Sequence, residues 1–225
     1  MFIKKKLWEK LIKTGLKDKD GLLIARTDDD ALIMHARGWT LNVDMRTVPK
    51  DYKAVIVAYI GDIPTEEDAW KVFAHEDPQQ VFMDTAMDYW IMGRANGFKY
   101  PYEATRFVVY KDGFIRLVRC QKTVDGRRNV LGVSEEVIAG IDWKQIRSEY
   151  ETPPMEMMGA SPQGATMIAW YNNCGILIID VADITAADEP MASIRRVMDK
   201  MEDASLVLTP SELKGMQDEE RESDE

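Results

Sequence analysis

Residues 106–133, RFVVYKDGFIRLVRCQKTVDGRRNVLGV, constrain the fold more than any other part of the chain. They contain two Asp-Gly pairs, Asp112-Gly113 and Asp125-Gly126, and each pair lies between runs rich in β-branched residues. Asp-Gly favours tight hairpin turns, because such turns need residues that accept positive φ angles. The sequence therefore predicts a three-stranded antiparallel meander.

Shorter apolar runs indicate further strands. GLLIAR at residues 21–26 and ALIMHAR at residues 31–37 predict a hairpin joined across three aspartates. WTLNVDM, which follows, is a weaker strand, and KAVIVAYIG at residues 53–61 has the near-continuous apolar pattern of a strand covered on both faces. TMIAWYNNCGILIIDVAD at residues 166–183 predicts a second hairpin that turns at its Asn-Asn-Cys-Gly stretch.

Helical spacing and capping residues predict helices around these strands. In the N-terminal segment, apolar residues recur on one helical face and Gly15 follows as a C-terminal cap. The predicted helices are this segment, residues 65–75, residues 78–97, a short helix capped by Ser134, residues 142–150 and a helix that begins at Pro190.

The strands group into hairpins and do not alternate regularly with helices, which favours an α+β fold over a doubly wound α/β sheet. We therefore predict an antiparallel sheet built from hairpins and a meander, with several packed helices and a disordered acidic C-terminal tail. Residues 1–210 are predicted to form a single α+β domain, with a candidate subdomain boundary near residues 151–164. Residues 211–225 form the predicted tail.

Composition limits the classes of function. The chain of 225 residues is 45% apolar and 30% charged, with a net charge of -10, as expected of a folded acidic protein. No apolar run is long enough to cross a bilayer, so we predict no membrane association. The two cysteines form no close-spaced motif, which favours a reducing cytoplasmic location. The acidity argues against nucleic acid as a partner.

Three consecutive aspartates, Asp28 to Asp30, precede His35 and raise the question of a metal site. Asp is a preferred turn residue, and His35 lies about 16 Å beyond Asp30 along an extended strand, so a turn is the favoured interpretation. The alternative is a magnesium site in which Asp28 and Asp30 meet Asp180, an acid at the end of an apolar strand.

Two other catalytic motifs are incomplete. GASPQGAT at residues 159–166 has the glycine spacing of a phosphate loop, but Ala165 stands where the lysine is needed. Cys120 and Cys174 both lie in apolar runs, where burial leaves a thiol inert. We predict no catalytic residue and no cofactor, with magnesium as the cofactor of the alternative interpretation.

Two groups of residues are candidates for binding. Basic residues of the meander could form a surface patch, although a charged sheet edge that prevents strand pairing is the favoured explanation. Methionines of PPMEMMGA are predicted to lie in a loop, where they could form an adaptable contact surface or fold over the core. The candidate binding residues are Arg116, Lys122, Arg127, Arg128, Met155, Met157 and Met158.

These observations favour a non-enzymatic binding or interaction protein that acts on another protein through surface loops and an acidic surface. The alternative is a magnesium-dependent hydrolase or nuclease that uses the strand-end aspartates Asp28, Asp30 and Asp180. The two hypotheses differ in one geometric requirement, since only the enzyme needs these carboxylates to converge on one ion.

Overall fold

A computed structural model of the chain describes residues 1–94, 97–126, 128–146, 157–161, 163, 165–182 and 204–215. The chain forms two compact units. Unit 1 consists of Met1–Ala95 and Tyr171–Ile179, and unit 2 consists of Asn96–Trp170 and Asp180–Glu225. Both units contain helices and antiparallel strands, so the predicted α+β class is confirmed.

Unit 1 is built on an antiparallel sheet whose strands are ordered β5-β4-β1-β2-β3-β11. The last strand comes from the second segment of the unit, and only its final residue belongs to unit 2. The elements are α1 (Lys5–Lys17), β1 (Leu22–Arg26), β2 (Ala31–Ala36), β3 (Trp39–Asp44), a 3-10 turn (Met45–Thr47), α2 (Lys50–Ile60), β4 (Asp68–Val72), β5 (Gln79–Val81), α3 (Asp84–Arg94) and β11 (Gly175–Asp180).

Helices cover both faces of the unit 1 sheet. Alternate strand residues such as Leu23 and Ile33 form a buried cluster with Ala86 of α3. On the opposite face, Gly15 of α1 lies so close to the sheet that a β-carbon there would stand 2.9 Å from Leu22 Cδ1. Gly15 is thus a close-packing residue inside α1 and not the C-terminal cap that the sequence predicted.

The strand predicted at residues 53–61 is wrong, because this segment forms helix α2. Val55, Ile56 and Ile60 are buried at helical spacing, while Val57 on the other side is 44% exposed. A run of β-branched residues lowers helix propensity only slightly, and packing of one helical face overrides that preference.

The helix predicted at residues 65–75 is also wrong. Thr65 and Asp68 close a turn in which Glu67 takes a φ of 63°, and strand β4 then begins. β4 pairs with β1, and β5 pairs with β4. Because β5 occupies Gln79–Val81, helix α3 starts at Asp84 and not at the predicted Pro78. Acidic residues after a threonine are typical of helix starts, but they also suit exposed turns.

Unit 2 contains an antiparallel sheet ordered β10-β9-β6-β7-β8. Its three-stranded meander, β6-β7-β8, is confirmed. The elements are β6 (Tyr100–Tyr110), β7 (Phe114–Cys120), β8 (Val130–Ser134), α4 (Glu135–Gly140), β9 (Met157–Gly159), β10 (Met167–Asn172, whose last two residues belong to unit 1), a 3-10 turn (Ala204–Leu206) and α5 (Pro210–Gly215).

Both Asp-Gly pairs take the predicted positive φ angles. Asp112 and Gly113 have φ values of 52° and 142°, and Asp125 and Gly126 have values of 51° and 71°. Ser134 precedes helix α4 as expected, although its side chain makes no capping hydrogen bond.

Several predicted elements differ or lie outside the described residues. Residues 142–146 form a turn where a helix was predicted, and Met157 begins a strand where a loop was predicted. Helix α5 extends into the predicted tail. Residues 216–225 and the helix predicted from Pro190 lie outside the described ranges. None of the described helices is long and apolar enough to cross a membrane.

Candidate interaction site at the β6–β7 hairpin

The first hairpin of the meander presents an exposed apolar surface at its tip. Val108 pairs with Arg116 and Tyr110 with Phe114, and residues 111–113 connect the strands. The exposed fractions of Val108, Tyr110 and Phe114 are 39%, 76% and 63%. These three side chains are half of the large apolar side chains that are exposed in the described part of the chain. We call them the hairpin-tip patch.

Two aromatic rings form the centre of the hairpin-tip patch. The Tyr110 and Phe114 ring centroids are 5.4 Å apart at an interplanar angle of 71°, an edge-to-face arrangement. The contact holds both rings on one side of the hairpin, where their apolar surface meets water. Exposed aromatic clusters of this kind are typical of surfaces that bind another molecule.

A buried ion pair fixes the base of the hairpin. Arg116 is 7% exposed, and its guanidinium donates two hydrogen bonds to the carboxylate of Glu135 at the start of α4. A third goes to the backbone carbonyl of Thr105, at 2.7 Å. Both oxygens of the carboxylate are thereby used, as in the strongest arginine–carboxylate pairs.

A second charged cluster lies further along the meander. Arg119 is 2% exposed and donates from Nε to Glu103 at 2.5 Å, and Arg128 lies 3.6 Å from the same carboxylate. Arg106 contacts helix α5, because its guanidinium binds both carboxylate oxygens of Glu212. This guanidinium and hydrogen bonds from Thr209 lower the pKa of Glu212 to about 2.

Most residues of the predicted basic patch instead make contacts within unit 2. Arg116 and Arg128 pair with carboxylates, and the Lys122 ammonium lies 5.2 Å from the centre of the Tyr100 ring. Arg127 lies outside the described residues. A phosphate-binding patch needs basic residues that converge on an exposed surface, whereas Arg116 and Arg119 are buried.

Of the two alternatives for the methionines, burial over the core is the one that Met157 and Met158 follow. Met157 and Met158 lie in strand β9 and are 1% and 2% exposed, so they are core residues and not an exposed contact surface. Met155 lies outside the described residues. β9 pairs with β6 and β10, and this pairing buries a segment whose prolines and glycine favoured a loop.

Val108, Tyr110 and Phe114 were not among the binding residues predicted from the sequence. The signal was nevertheless present, since residues at positions i and i+2 of a strand share one face. In a hairpin that turns at Asp112-Gly113, this parity places Val108 and Tyr110 together, with Phe114 opposite Tyr110.

The aspartate cluster forms the tip of the β1–β2 hairpin, as the turn interpretation predicts. Asp30 has a φ of 65° and accepts a 2.6 Å hydrogen bond from Arg26, while Asp29 accepts one from the Thr27 hydroxyl. Asp28 is exposed in the turn. The carboxylates of Asp29 and Asp30 thus serve the local hairpin, which is the usual role of turn aspartates.

Asp180 is the last residue of β11 and belongs to unit 2. Its carboxylate is exposed at the surface, although neighbouring protein atoms partly desolvate it and raise its pKa. Among the described residues, no three histidine, cysteine, aspartate or glutamate side chains are arranged to hold a metal ion.

His35 contacts neighbouring side chains within unit 1. Its ring stacks on Tyr89 of α3, with centroids 3.6 Å apart, and Nδ1 shares a 2.9 Å hydrogen bond with the Thr40 hydroxyl. Burial is the main cause that lowers the pKa of His35, and the positive charge of Lys71 adds to it. The contact joins the sheet to α3 through the neutral imidazole.

We expect His35 to make stability depend on pH. Because its folded pKa lies below the unfolded value of about 6.5, the unfolded chain binds the proton more readily. The contribution of His35 should be complete above about pH 6.5 and decline as the pH falls through the lower folded pKa. The His35→Gln variant should lose this part of the pH dependence in urea unfolding measured between about pH 7.5 and pH 5.

His75 provides the matched control, because it is exposed in a turn. The His75→Gln variant removes the other histidine of the chain, so it shows whether a lost pH dependence is specific to His35. If the free energy of unfolding of the His35→Gln variant depends on pH as that of the unmodified protein does, His35 is not a source of the pH dependence.

A buried polar cluster surrounds Tyr102 in unit 2. The Tyr102 hydroxyl donates to the Ser161 carbonyl at 2.8 Å and accepts from the Asn129 amide at 3.0 Å. Burial raises the pKa of Tyr102 to about 12 and also raises that of Cys120 on the paired strand. Cys120 is therefore held as a thiol, the unreactive form.

No protein-family model and no curated protein matches this chain. Among solved structures, the chain matches a DNA polymerase III subunit beta DnaN sliding clamp from Bartonella birtlesii. The two are 10% identical, and the match covers 84% of this chain and 66% of the clamp, with a TM-score of 0.22. A similarity at this level carries no argument about fold or function.

Proposed function

We propose that this chain is a non-enzymatic binding protein that docks another protein through the hairpin-tip patch. The observation that carries the proposal is the exposure of Tyr110 and Phe114, which are 76% and 63% exposed although they form one ordered aromatic pair. Large aromatic residues dominate the energetics of protein interfaces when a partner covers them.

The base of the hairpin supports this proposal. The Arg116–Glu135 pair and the Arg106–Glu212 pair connect the hairpin to α4 and α5, so the tip projects from a fixed base. A surface that is already ordered loses less conformational entropy on binding than a flexible loop does. The acidity of the chain, with a net charge of -10, would add long-range attraction to a basic partner.

The test is affinity capture from cells of the native host, with quantitative mass spectrometry. The bait is the full chain, either unmodified or carrying both Tyr110→Ser and Phe114→Ser. We expect at least one protein to be enriched by the unmodified chain and to lose about tenfold or more of its enrichment with the double variant, since each truncated aromatic anchor costs about 1–2 kcal/mol.

The control is the Phe82→Ser variant, which removes an aromatic side chain that is 86% exposed but lies in unit 1. It should capture the same proteins as the unmodified chain. Identical capture by the double variant and the unmodified chain would reject the hairpin-tip patch as the binding surface.

A further inference from the structure

We infer that the lysine stripe of helix α1, formed by Lys6, Lys10, Lys13 and Lys17, docks unit 1 on a membrane surface rich in anionic phospholipids. Adsorption of this kind goes beyond the prediction of no membrane association, because that prediction considered only segments that cross the bilayer. The lysine stripe belongs to unit 1 and the hairpin-tip patch to unit 2, so the two surfaces are tested separately.

The lysine stripe follows one side of α1. Its four residues succeed one another at intervals of four, three and four positions, and such intervals place side chains on one face of a helix. At a rise of about 1.5 Å per residue, the lysine stripe is about 17 Å long. All four residues are exposed. An acidic chain thus presents a line of positive charges at one surface.

The opposite side of α1 is buried and holds the lysine stripe in place. Leu7, Leu11 and Ile12 are buried, and the buried Trp8 ring packs edge-to-face on Tyr52 of α2, with ring centroids 5.5 Å apart. The apolar face of α1 is therefore already used within unit 1. Docking through α1 must depend on charge and not on insertion of apolar side chains into the bilayer.

Neighbouring carboxylates compensate only part of this charge. The Glu9 carboxylate lies 2.6 Å from the Lys13 ammonium, and Asp51 of α2 lies 3.4 Å from Lys5, which is outside the lysine stripe. α1 contains five lysines against one glutamate, a balance of +4. Clusters of four or more basic residues on an amphipathic helix are typical of surfaces that bind anionic lipids.

Helix α2 adds an uncharged surface beside the lysine stripe. The Tyr59 hydroxyl donates to Glu9 at 2.7 Å, and the Lys13 ammonium lies 5.1 Å from the centre of the Tyr59 ring. Tyrosine is a residue that membrane–water interfaces favour. Between Lys53 and Ile60, the exposed residues of α2 are all uncharged, namely Ala54, Val57, Ala58 and Tyr59.

Magnitudes favour a lipid surface over other anionic partners. Each lysine near an anionic membrane strengthens binding by about fivefold, so four give a gain on the order of several hundredfold. An exposed salt bridge to a protein carboxylate gives about fivefold at most and often nothing measurable. Sites for single-stranded nucleic acid add aromatic rings on which bases stack, whereas the exposed residues of α1 are lysines and Thr14.

The acidic excess of the chain does not prevent this docking. Residues 183–225 hold 13 acidic and 5 basic residues, so they carry most of the net charge of -10. At physiological ionic strength, exposed charges more than about 8 Å apart are largely screened from each other. The potential of the membrane surface therefore acts mainly on the side chains that reach it, which are those of the lysine stripe.

Co-sedimentation of the full chain with vesicles is the test. Vesicles of phosphatidylcholine with about 40% phosphatidylserine should bind the chain, and vesicles of phosphatidylcholine alone should not. The Lys6→Glu, Lys17→Glu double variant should bind the anionic vesicles at least about twentyfold more weakly, since two fivefold gains are lost. Salt at about 0.5 M should release the unmodified chain by screening.

The matched control is the Lys99→Glu, Lys144→Glu double variant. It changes the net charge by the same amount at two exposed lysines of unit 2, and it should bind like the unmodified chain. Equal losses in the two double variants would overturn the lysine stripe as the docking surface. The Lys6→Gln, Lys17→Gln variant serves if the glutamate variant fails to fold, and its expected loss is about twentyfold.

Duplex and single-stranded DNA provide the competing polyanions. Failure of the unmodified chain to bind the anionic vesicles would overturn the docking on lipid. If DNA were then bound by the unmodified chain but not by the Lys6→Glu, Lys17→Glu variant, the lysine stripe would be a nucleic-acid surface. The capture experiment with Tyr110→Ser and Phe114→Ser reports on the hairpin-tip patch, so either proposal can fail while the other stands.

Discussion

The Glu135→Ala variant should lower the free energy of unfolding by about 3–5 kcal/mol, because it leaves the buried Arg116 guanidinium without its carboxylate partner. The only hydrogen bond of this guanidinium that would remain among those described here is to the Thr105 carbonyl. A single neutral acceptor does not offset the cost of keeping a positive charge out of water. Urea unfolding followed by circular dichroism measures the loss.

Glu136→Ala is the matched control, since Glu136 is the next residue of α4 and its side chain is exposed. Because interactions of an exposed carboxylate contribute only about 0–1 kcal/mol, its unfolding free energy should change by about 1 kcal/mol or less. The double variant Arg116→Met, Glu135→Leu should recover most of the stability lost by Glu135→Ala, because an apolar pair carries no desolvation cost. Similar losses in the Glu135→Ala and Glu136→Ala variants would contradict the role of the ion pair.

The ion pair shows where sequence reasoning stops. Strand parity places Arg116 and Arg119 on opposite faces, but it gives no information on which carboxylate each one contacts. Glu135 lies 19 residues from Arg116, and Glu103 lies 16 residues from Arg119. These pairings depend on the register of the meander, so basic residues that resemble a binding patch in sequence become internal contacts.

Two of the mistaken elements have a related cause. Residues 53–61 are apolar enough for a strand, and residues 65–75 begin with residues that suit a helix. In each case the local pattern fits two structures, and pairing or packing with distant residues decides between them. The Asp-Gly turns were predicted correctly because a positive φ is a local backbone requirement that few residues meet.

The candidate site combines a predictable part with an unpredictable one. The turn at Asp112 fixes which residues flank the hairpin tip, and parity groups Val108 with Tyr110. Exposure of this face is a tertiary property, because the opposite residues Phe107 and Val109 pack against the buried Leu117 cluster. The run Phe-Val-Val-Tyr is apolar at every position, so alternation of hydrophobicity could not indicate which face meets water.

The Gly175→Ala variant should lower the free energy of unfolding by about 3 kcal/mol, at the upper end of the cost of overpacking. A β-carbon at this position would stand 2.2 Å from the Asn42 carbonyl oxygen and 2.7 Å from the Val43 Cα. Both obstacles are backbone atoms of β3, which pairs with β11 in this register, so no side-chain rotation relieves the contact. The two strands would have to separate at the start of β11.

Gly113→Ala distinguishes this close contact from an effect of backbone conformation. Gly113 also has a positive φ, 142° against 159° for Gly175, but a β-carbon there would meet no atom within 4 Å. The free energy of unfolding of the Gly113→Ala variant should therefore fall only by the cost of the unfavourable backbone conformation, about 1 kcal/mol. If thermal unfolding shows equal losses for the two variants, the approach of β3 to β11 is not what requires glycine at position 175.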